Sequence, residues 1–196
     1  MGIGRRRGLG LGVAAALLLA AGSASAGGVD FPDFSNLAPF TLNGSTATIH
    51  AGGPILYNGQ NVLRLTNDVG QAGSAFLTAQ VALGGGGSFS TRFAFQISNS
   101  GGFGDGDGPG ADGLAFVLQA QGNTALGLGG GGIGYQGITP SLAIEFDTWN
   151  SGAPDNFSGN HVGINLNGSQ ASVALAAVAR RLNDGGVWYV WVDYNG

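Results

Sequence analysis

The chain has 196 residues, with seven arginines, no lysine, eleven acids and no cysteine, and a formal charge of −4. Absence of cysteine excludes disulfides, thiolate metal sites and cysteine nucleophiles together, and absence of lysine excludes a P-loop. Phosphate neutralisation depends on clustered Lys and Arg, so no nucleic acid is expected as a partner.

Residues 1–26 have the three-part layout of a secretory signal: Arg5-Arg6-Arg7, an apolar stretch over residues 9–21, and Ala24-Ser25-Ala26 as a small-residue cleavage motif. The apolar run is too short and too rich in small residues for a transmembrane span. The mature chain is therefore expected to have no membrane span and to be secreted, or held at the cell surface or in the periplasm. Residues 27–196 then form one domain with four arginines against eleven acids, a formal charge of −7. Their number suffices for a single core.

Residues 46–50, 61–65, 75–81 and 89–97 are short, β-rich or alternating runs separated by glycine and asparagine, and are read as strands. His50 falls on a polar position of the first and is read as a surface residue. Residues 101–107 mix glycine with Asp105 and Asp107, but no second copy follows, as a calcium-binding β-roll requires. No glutamate closes the segment as an EF-hand loop, so it is read as a flexible approach to the next strand. Residues 141–148 alternate Leu142, Ile144, Phe146 and Thr148 with Ala143, Glu145 and Asp147, the period of a strand with one buried face. Residues 150–160 are rich in Gly, Pro, Ser, Asp and Asn and read as a loop, and residues 161–166 alternate again. The alanines of residues 170–181 suggest a helix, yet Ser172-Val173-Ala174-Leu175 and the strand-like residues 187–192 favour β structure or a turn. The fold class expected is all-β, a sandwich of two antiparallel sheets with jelly-roll-like architecture and a site on its rim loops.

Glu145 is the only glutamate, and with Asp147, Asp155 and His161 it places three carboxylates and one of two histidines within 17 residues. Side chains two apart on a strand share a face, so Glu145 and Asp147 lie roughly 7 Å apart at their Cα atoms. A hairpin-like return brings Asp155 and His161 over them. Ca²⁺ takes carboxylate, amide and main-chain oxygens, whereas an imidazole beside carboxylates suits Mn²⁺, Zn²⁺ or a related ion. Two rival readings are that the strand carboxylates face solvent, or that Glu145 and Asp147 are a glycosidase acid/base pair near the inverting separation. The pair alone leaves Asp155 and His161 unexplained; a metal cluster accounts for all four.

Ala111-Asp112-Gly113-Leu114-Ala115-Phe116-Val117-Leu118, then Gly130-Gly131-Gly132-Ile133-Gly134, Glu145-Phe146-Asp147-Thr148 and His161-Val162-Gly163-Ile164 stand in that order. With Leu63-Arg64-Leu65-Thr66, Gly73-Ser74-Ala75-Phe76 and Trp191-Val192-Asp193-Tyr194-Asn195-Gly196, the set resembles the legume-type (L-type) lectins, in their bacterial branch, over nearly all of residues 27–196. The resemblance implies a concanavalin-like sandwich that binds glycans or glycoconjugates without catalysis. It implies that Glu145 and His161 hold a transition metal, usually Mn²⁺, with Asp147 and Asp155 shared with a neighbouring Ca²⁺. It further implies a Ca²⁺ ligand from the Trp149 carbonyl, Asp112 after a cis peptide as the main sugar acceptor, Gly131 as a main-chain donor, and Trp149 as an apolar face for the sugar ring.

One departure stands out. The family's Asn, which binds both Ca²⁺ and sugar, lies four residues after the shared Asp; here that position is Ser151, while Asn150 is three after. Loop shortening by one residue makes either Asn150 or Ser151 a candidate for the role. Family members also continue past residue 196, so the domain is expected to be truncated at its C-terminus, leaving a strand edge of the kind sheets usually cover. A homo-oligomer is compatible with the sequence. Three functions are thus set against one another: a secreted metal-dependent lectin domain, a glycoside hydrolase using Glu145 and Asp147, and a structural or adhesive sandwich with a decayed site.

Overall fold

The computed structural model describes residues 29–83 and 86–195; the signal segment expected at residues 1–26 lies outside them. In chain order the elements are β1 (Phe40–Gly44), α1 (Ser45–Ile49), β2 (Ile55–Tyr57), β3 (Gln60–Val62), β4 (Gly73–Leu77), β5 (Phe89–Gln96), β6 (Gly104–Asp105), β7 (Gly108–Pro109), β8 (Gly113–Gln119), β9 (Ser141–Asp147), β10 (His161–Leu166), β11 (Ala174–Ala177) and β12 (Val187–Tyr194). Short 3-10 turns occupy Gly130–Gly132 and Ala153–Asp155. Strands β11, β10, β9 and β8 form an antiparallel four-stranded sheet in that order; β5 pairs with β12, β1 with β4, β2 with β3, and β6 with β7.

Period-two alternation decides which layers meet. Ile144 and Phe146 of β9 stand opposite Phe116 and Leu114 of β8, and Val162 of β10 is opposite Phe146. This face packs on Phe93, Phe95, Trp188 and Val190 of the β5–β12 pair, with Leu65 and Leu182 completing the core. Phe93 stacks on Phe116 at 5.6 Å between centroids, and Phe95 lies 4.8 Å from Phe146. Each such aromatic contributes about 2–3 kcal/mol on burial. The result is a β-sandwich whose interior is one face of the four-stranded sheet.

The opposite face of that sheet is covered too. Ala115, Val117 and Ala143 pack with Phe76, Ala125, Ile133, Tyr135 and Ile138, because the connection between β8 and β9 folds back over the strands. The alternation in residues 141–148 suggests one buried face, but Ala143, Glu145 and Asp147 are at least as buried as Leu142, Ile144 and Phe146. Glu145 and Asp147 therefore project into protein, not solvent.

Several local expectations are corrected. Residues 46–50 are not a strand: α1 covers Ser45–Ile49, Thr46 Oγ1 donates to Leu65 O at 3.0 Å, and these buried partners override a weak β propensity. His50 is not on the surface; it is buried, its Nε2 accepts the Arg64 N–H at 3.0 Å, and its Nδ1 lies 3.1 Å from Gly53 O. The glycine-rich segment 101–107 is likewise more than a flexible approach, since β6 within it pairs with β7 just beyond it to close a small hairpin. The strands expected near residues 75–81 and 61–65 shrink to β4 and the end of β3, whereas residues 161–166 form β10 as read.

Candidate functional site

Sheet register builds the centre of the site. His161 on β10 stands opposite Asp147, and Gly163 opposite Glu145; on the other side β8 sets Gly113 against Asp147 and Ala115 against Glu145. Small neighbours leave room for the acids: a Cβ on Gly163 would lie 2.4 Å from Glu145 Oε1, and one on Gly113 would lie 2.5 Å from Phe146 O. Ligand atoms of Glu145, Asp147 and His161 all fall within 4.8 Å of one another. Exposure is 2%, 2% and 0% for these three residues, so their charges are shielded from water.

Glu145 is held by two hydroxyl donors and faces His161. Tyr135 OH donates to Oε2 at 2.6 Å and Ser172 Oγ to Oε1 at 2.8 Å, while His161 Nε2 sits 3.3 Å from Oε1. Asn165 Nδ2 in turn donates to the Tyr135 oxygen at 2.8 Å. Burial raises the Glu145 carboxyl, but the bonds from His161, Tyr135 and Ser172 outweigh it and hold the group below its ordinary value. Burial and the adjacent Glu145 charge push the Tyr135 hydroxyl up, which keeps it a donor. Tyr135, Asn165 and Ser172 are not singled out by the sequence; they come from three segments and share no motif.

Asp147 is different. Burial, followed by repulsion from Asp155, Glu145 and Asp112, pushes it up to about 9 despite the Trp149 N–H that donates to Oδ1 at 2.6 Å. Asp155, buried in the 3-10 turn, is raised by burial and partly relieved by the N–H and hydroxyl of Ser151. Among the described residues Arg180–Asp184 is the one arginine–carboxylate ion pair, so no arginine offsets Asp147 or Asp155. Buried like charges of this kind are stabilised by a cation. Three carboxylates with one imidazole fit a transition ion such as Mn²⁺ beside an oxygen-seeking Ca²⁺. His161 Nδ1 lies 3.1 Å from Ser158 O; with the proton there, Nε2 faces the carboxylates with its lone pair, the usual arrangement for a ligating histidine.

The loop over residues 149–160 is braced from outside. Asp105 Oδ2 accepts the Asn150 N–H at 2.8 Å and Asp107 Oδ2 accepts the Gly159 N–H at 2.6 Å, so the β6–β7 hairpin grips both ends of the loop. A Cβ on Gly159 would stand 2.1 Å from Asp105 Oδ2, which explains the glycine. Asp105 and Asp107 are not singled out by the sequence as partners of this loop; the alternation of Gly with Asp in residues 104–107 marks only a turn. Trp149 is half-buried and meets the exposed ring of Phe103 at 6.4 Å between centroids.

Asp112 lies at the edge of this assembly. Its peptide bond to Ala111 is cis, as the resemblance implies, and its carbonyl accepts the Thr148 N–H at 2.9 Å. The carboxyl is raised by burial, and no described side chain or main-chain group donates to it. The turn Gly130–Gly132 sits alongside: a Cβ on Gly113 would lie 3.2 Å from Ile133 Cδ1, and one on Gly131 would lie 3.0 Å from Ser151 Oγ and 3.2 Å from Gln170 Nε2. Asn150 turns into its own loop, where Nδ2 donates to Phe157 O at 2.9 Å and Oδ1 accepts the Gly152 N–H at 2.8 Å. The structure thus gathers Glu145, Asp147, Asp155 and His161 at the centre, with Asp112, Gly131, Trp149 and Ser151 around them. A separate groove of about 700 Å³, lined by residues such as Phe31, Pro39, Leu77 and Val81, shares no lining residue with this site.

Comparison with known proteins agrees with this fold. The L-type lectin-domain containing receptor kinase VIII.1 of Arabidopsis thaliana is 35% identical over 115 residues, covering 56% of this chain and 15% of the kinase. The crystal structure of basic winged bean lectin with Tn-antigen is similar at a TM-score of 0.59 and 27% identity, over 83% of this chain and 66% of that one. The chain therefore spans only part of either relative. Residues 30–196 match the model of the legume lectin domain, and with the concanavalin-like sandwich on which the acids converge, the chain belongs to the legume lectin domain family.

Proposed function

We propose that the chain is a metal-dependent, non-catalytic carbohydrate-binding domain that works outside the cytoplasm. The observation that carries this reading is Asp112: a half-buried carboxylate without a protein donor, set beside a glycine turn and a buried acid cluster. A carboxylate so placed accepts hydrogen bonds from two adjacent hydroxyls of a neutral ligand, the pair that a sugar presents. Gly131 has no Cβ to obstruct approach, so its N–H serves as a donor from the other side. Trp149 supplies an apolar face for the ring.

Glu145, Asp147, Asp155 and His161 would hold the transition ion, here Mn²⁺, and Asp147, Asp155 and the Trp149 carbonyl the Ca²⁺, with one side chain from Asn150 or Ser151. Bound ions supply fixed positive charge that offsets the buried carboxylates and orders the loop over residues 149–160. Hydrolysis is disfavoured by position: Glu145 and Asp147 are each 2% exposed, whereas an acid/base pair must flank a sugar bond.

Calorimetric titration against a glycan panel, with and without EDTA, tests the reading. Chelator-sensitive binding without turnover is expected. Glycan release in EDTA that disappears in Glu145→Gln would overturn it. Export through residues 1–26 predicts a secreted form whose first residue is Gly27, read by N-terminal sequencing.

A further inference from the structure

We infer that Ser151, aided by Gln170, and not Asn150, is the polar side-chain reader beside Gly131 in this chain's sugar site. The inference rests on the carbohydrate-binding reading above and decides a point it leaves open.

The amide of Asn150 is already committed. Its oxygen accepts the Gly152 N–H at 2.8 Å and its nitrogen donates to Phe157 O at 2.9 Å, both within the loop that carries it. Turning either end toward a ligand breaks one of these bonds. Asn150 also receives a grip from outside, through the N–H that donates to Asp105 at 2.8 Å. Everything it does braces the loop.

Ser151 stands differently. Its side chain is exposed, its N–H donates to Asp155 Oδ2, and its hydroxyl also favours the charged form of that carboxylate. The same hydroxyl lies 3.0 Å from the point where a Cβ on Gly131 would be. One small polar group thus touches both the acid cluster and the glycine turn, and its hydroxyl both donates and accepts. Gln170 Nε2 borders the same point at 3.2 Å, while Gln170 Oε1 is occupied by Gln136 Nε2 at 3.0 Å. The carboxamide is therefore oriented with donor hydrogens toward the turn.

Ser151 and Gln170 together form a neutral wall next to Gly131. Such a wall reads hydroxyl or acetamido groups of a sugar and gives no charge to an anionic one. Because a hydroxyl is shorter than a carboxamide, it leaves more space above Gly131 than Asn at the same position would, so a ring substituent is tolerated there.

The test uses the full chain, saturated with Ca²⁺ and Mn²⁺, and methyl glycosides of glucose, mannose, galactose, N-acetylglucosamine and N-acetylgalactosamine as probes in calorimetry. Ser151→Ala and Gln170→Ala are each expected to weaken the tightest-bound probe about three- to tenfold, the loss of one neutral hydrogen bond. Ser151→Thr, which keeps the hydroxyl, should restore binding, and Asn150→Ala, by loosening the loop it braces, should raise the Ca²⁺ concentration needed for binding without changing which probe binds tightest. Loss in Asn150→Ala with wild-type affinity in Ser151→Ala and Gln170→Ala would overturn the inference while leaving sugar binding intact. Wild-type protein that binds none of the probes would refute the carbohydrate reading and this inference with it.

Discussion

Tyr135→Phe removes one oxygen from the centre of the molecule and little else. The ring keeps its packing against Phe76, Val117 and Ile138, so no sizeable cavity opens. Asn165 Nδ2 retains Ser169 O at 3.2 Å and Gln170 O at 3.0 Å, so it is not orphaned. The loss falls on Glu145 Oε2, whose hydrogen bond from Tyr135 is 2.6 Å long, while Ser172 and His161 serve Oε1. A bond to a charged, buried acceptor contributes about 1.5–3 kcal/mol. For a domain of this size, about 2 kcal/mol lowers Tm by about 4–8 °C. Manganese affinity should fall about tenfold or more, the usual consequence of removing a partner that orients a ligating carboxylate. Differential scanning calorimetry in EDTA reads the first effect and isothermal titration of the apo-protein with Mn²⁺ the second. Tyr57→Phe is the control, because its hydroxyl makes only a 3.4 Å contact with Ser98. A Tyr135→Phe protein that melts within about 1 °C of wild type and binds Mn²⁺ equally well would refute the role given to this bond.

Asp112→Asn should abolish glycan binding yet raise Tm at neutral pH. Burial raises the folded-state value of Asp112, so its favourable contribution exists below the unfolded value and is lost as pH rises through the folded one; melts of the two proteins should converge in acid. The same shift means wild-type glycan affinity falls on acidification above the ordinary 3.8, and a fall confined to lower pH would contradict it. Gly163→Ala sets a Cβ 2.4 Å from both Glu145 Oε1 and Ser172 Oγ; we expect a cost of about 1–3 kcal/mol and weaker Mn²⁺ binding, measured by denaturant melts and titration. Asp105→Ala and Asp107→Ala each free a main-chain N–H of the loop over residues 149–160, and each should lower Ca²⁺ affinity about tenfold in calorimetry while leaving the far-ultraviolet spectrum unchanged.

Much of the centre was legible because it is local. Glu145 and Asp147 are two apart on β9, and His161 opens the next strand, so a single antiparallel register brings them together. Strand periodicity is enough to put side chains two apart on one face. Asp155 needed only the loop between the two strands. The brace around them was not legible in the same way: Tyr135 reaches Glu145 from the connection between β8 and β9, Asp105 reaches Asn150 across 45 residues, and neither contact has a period or a motif. Residues 46–50 misled for a related reason, since the buried side chains of Thr46 and His50 find main-chain partners at Leu65 and Arg64 that outweigh local preference.

Residue order by itself determined the all-β class, the shared face of Glu145 and Asp147, and the meeting of these with His161, because alternation and hairpin return are properties of adjacent chain. Tertiary structure alone decided that this face is buried, since the cover comes from residues 125–138 folding across the sheet. It also decided that Ser151 borders Gly131 while the Asn150 amide closes on its own loop, a choice made by competing hydrogen bonds that no spacing rule ranks.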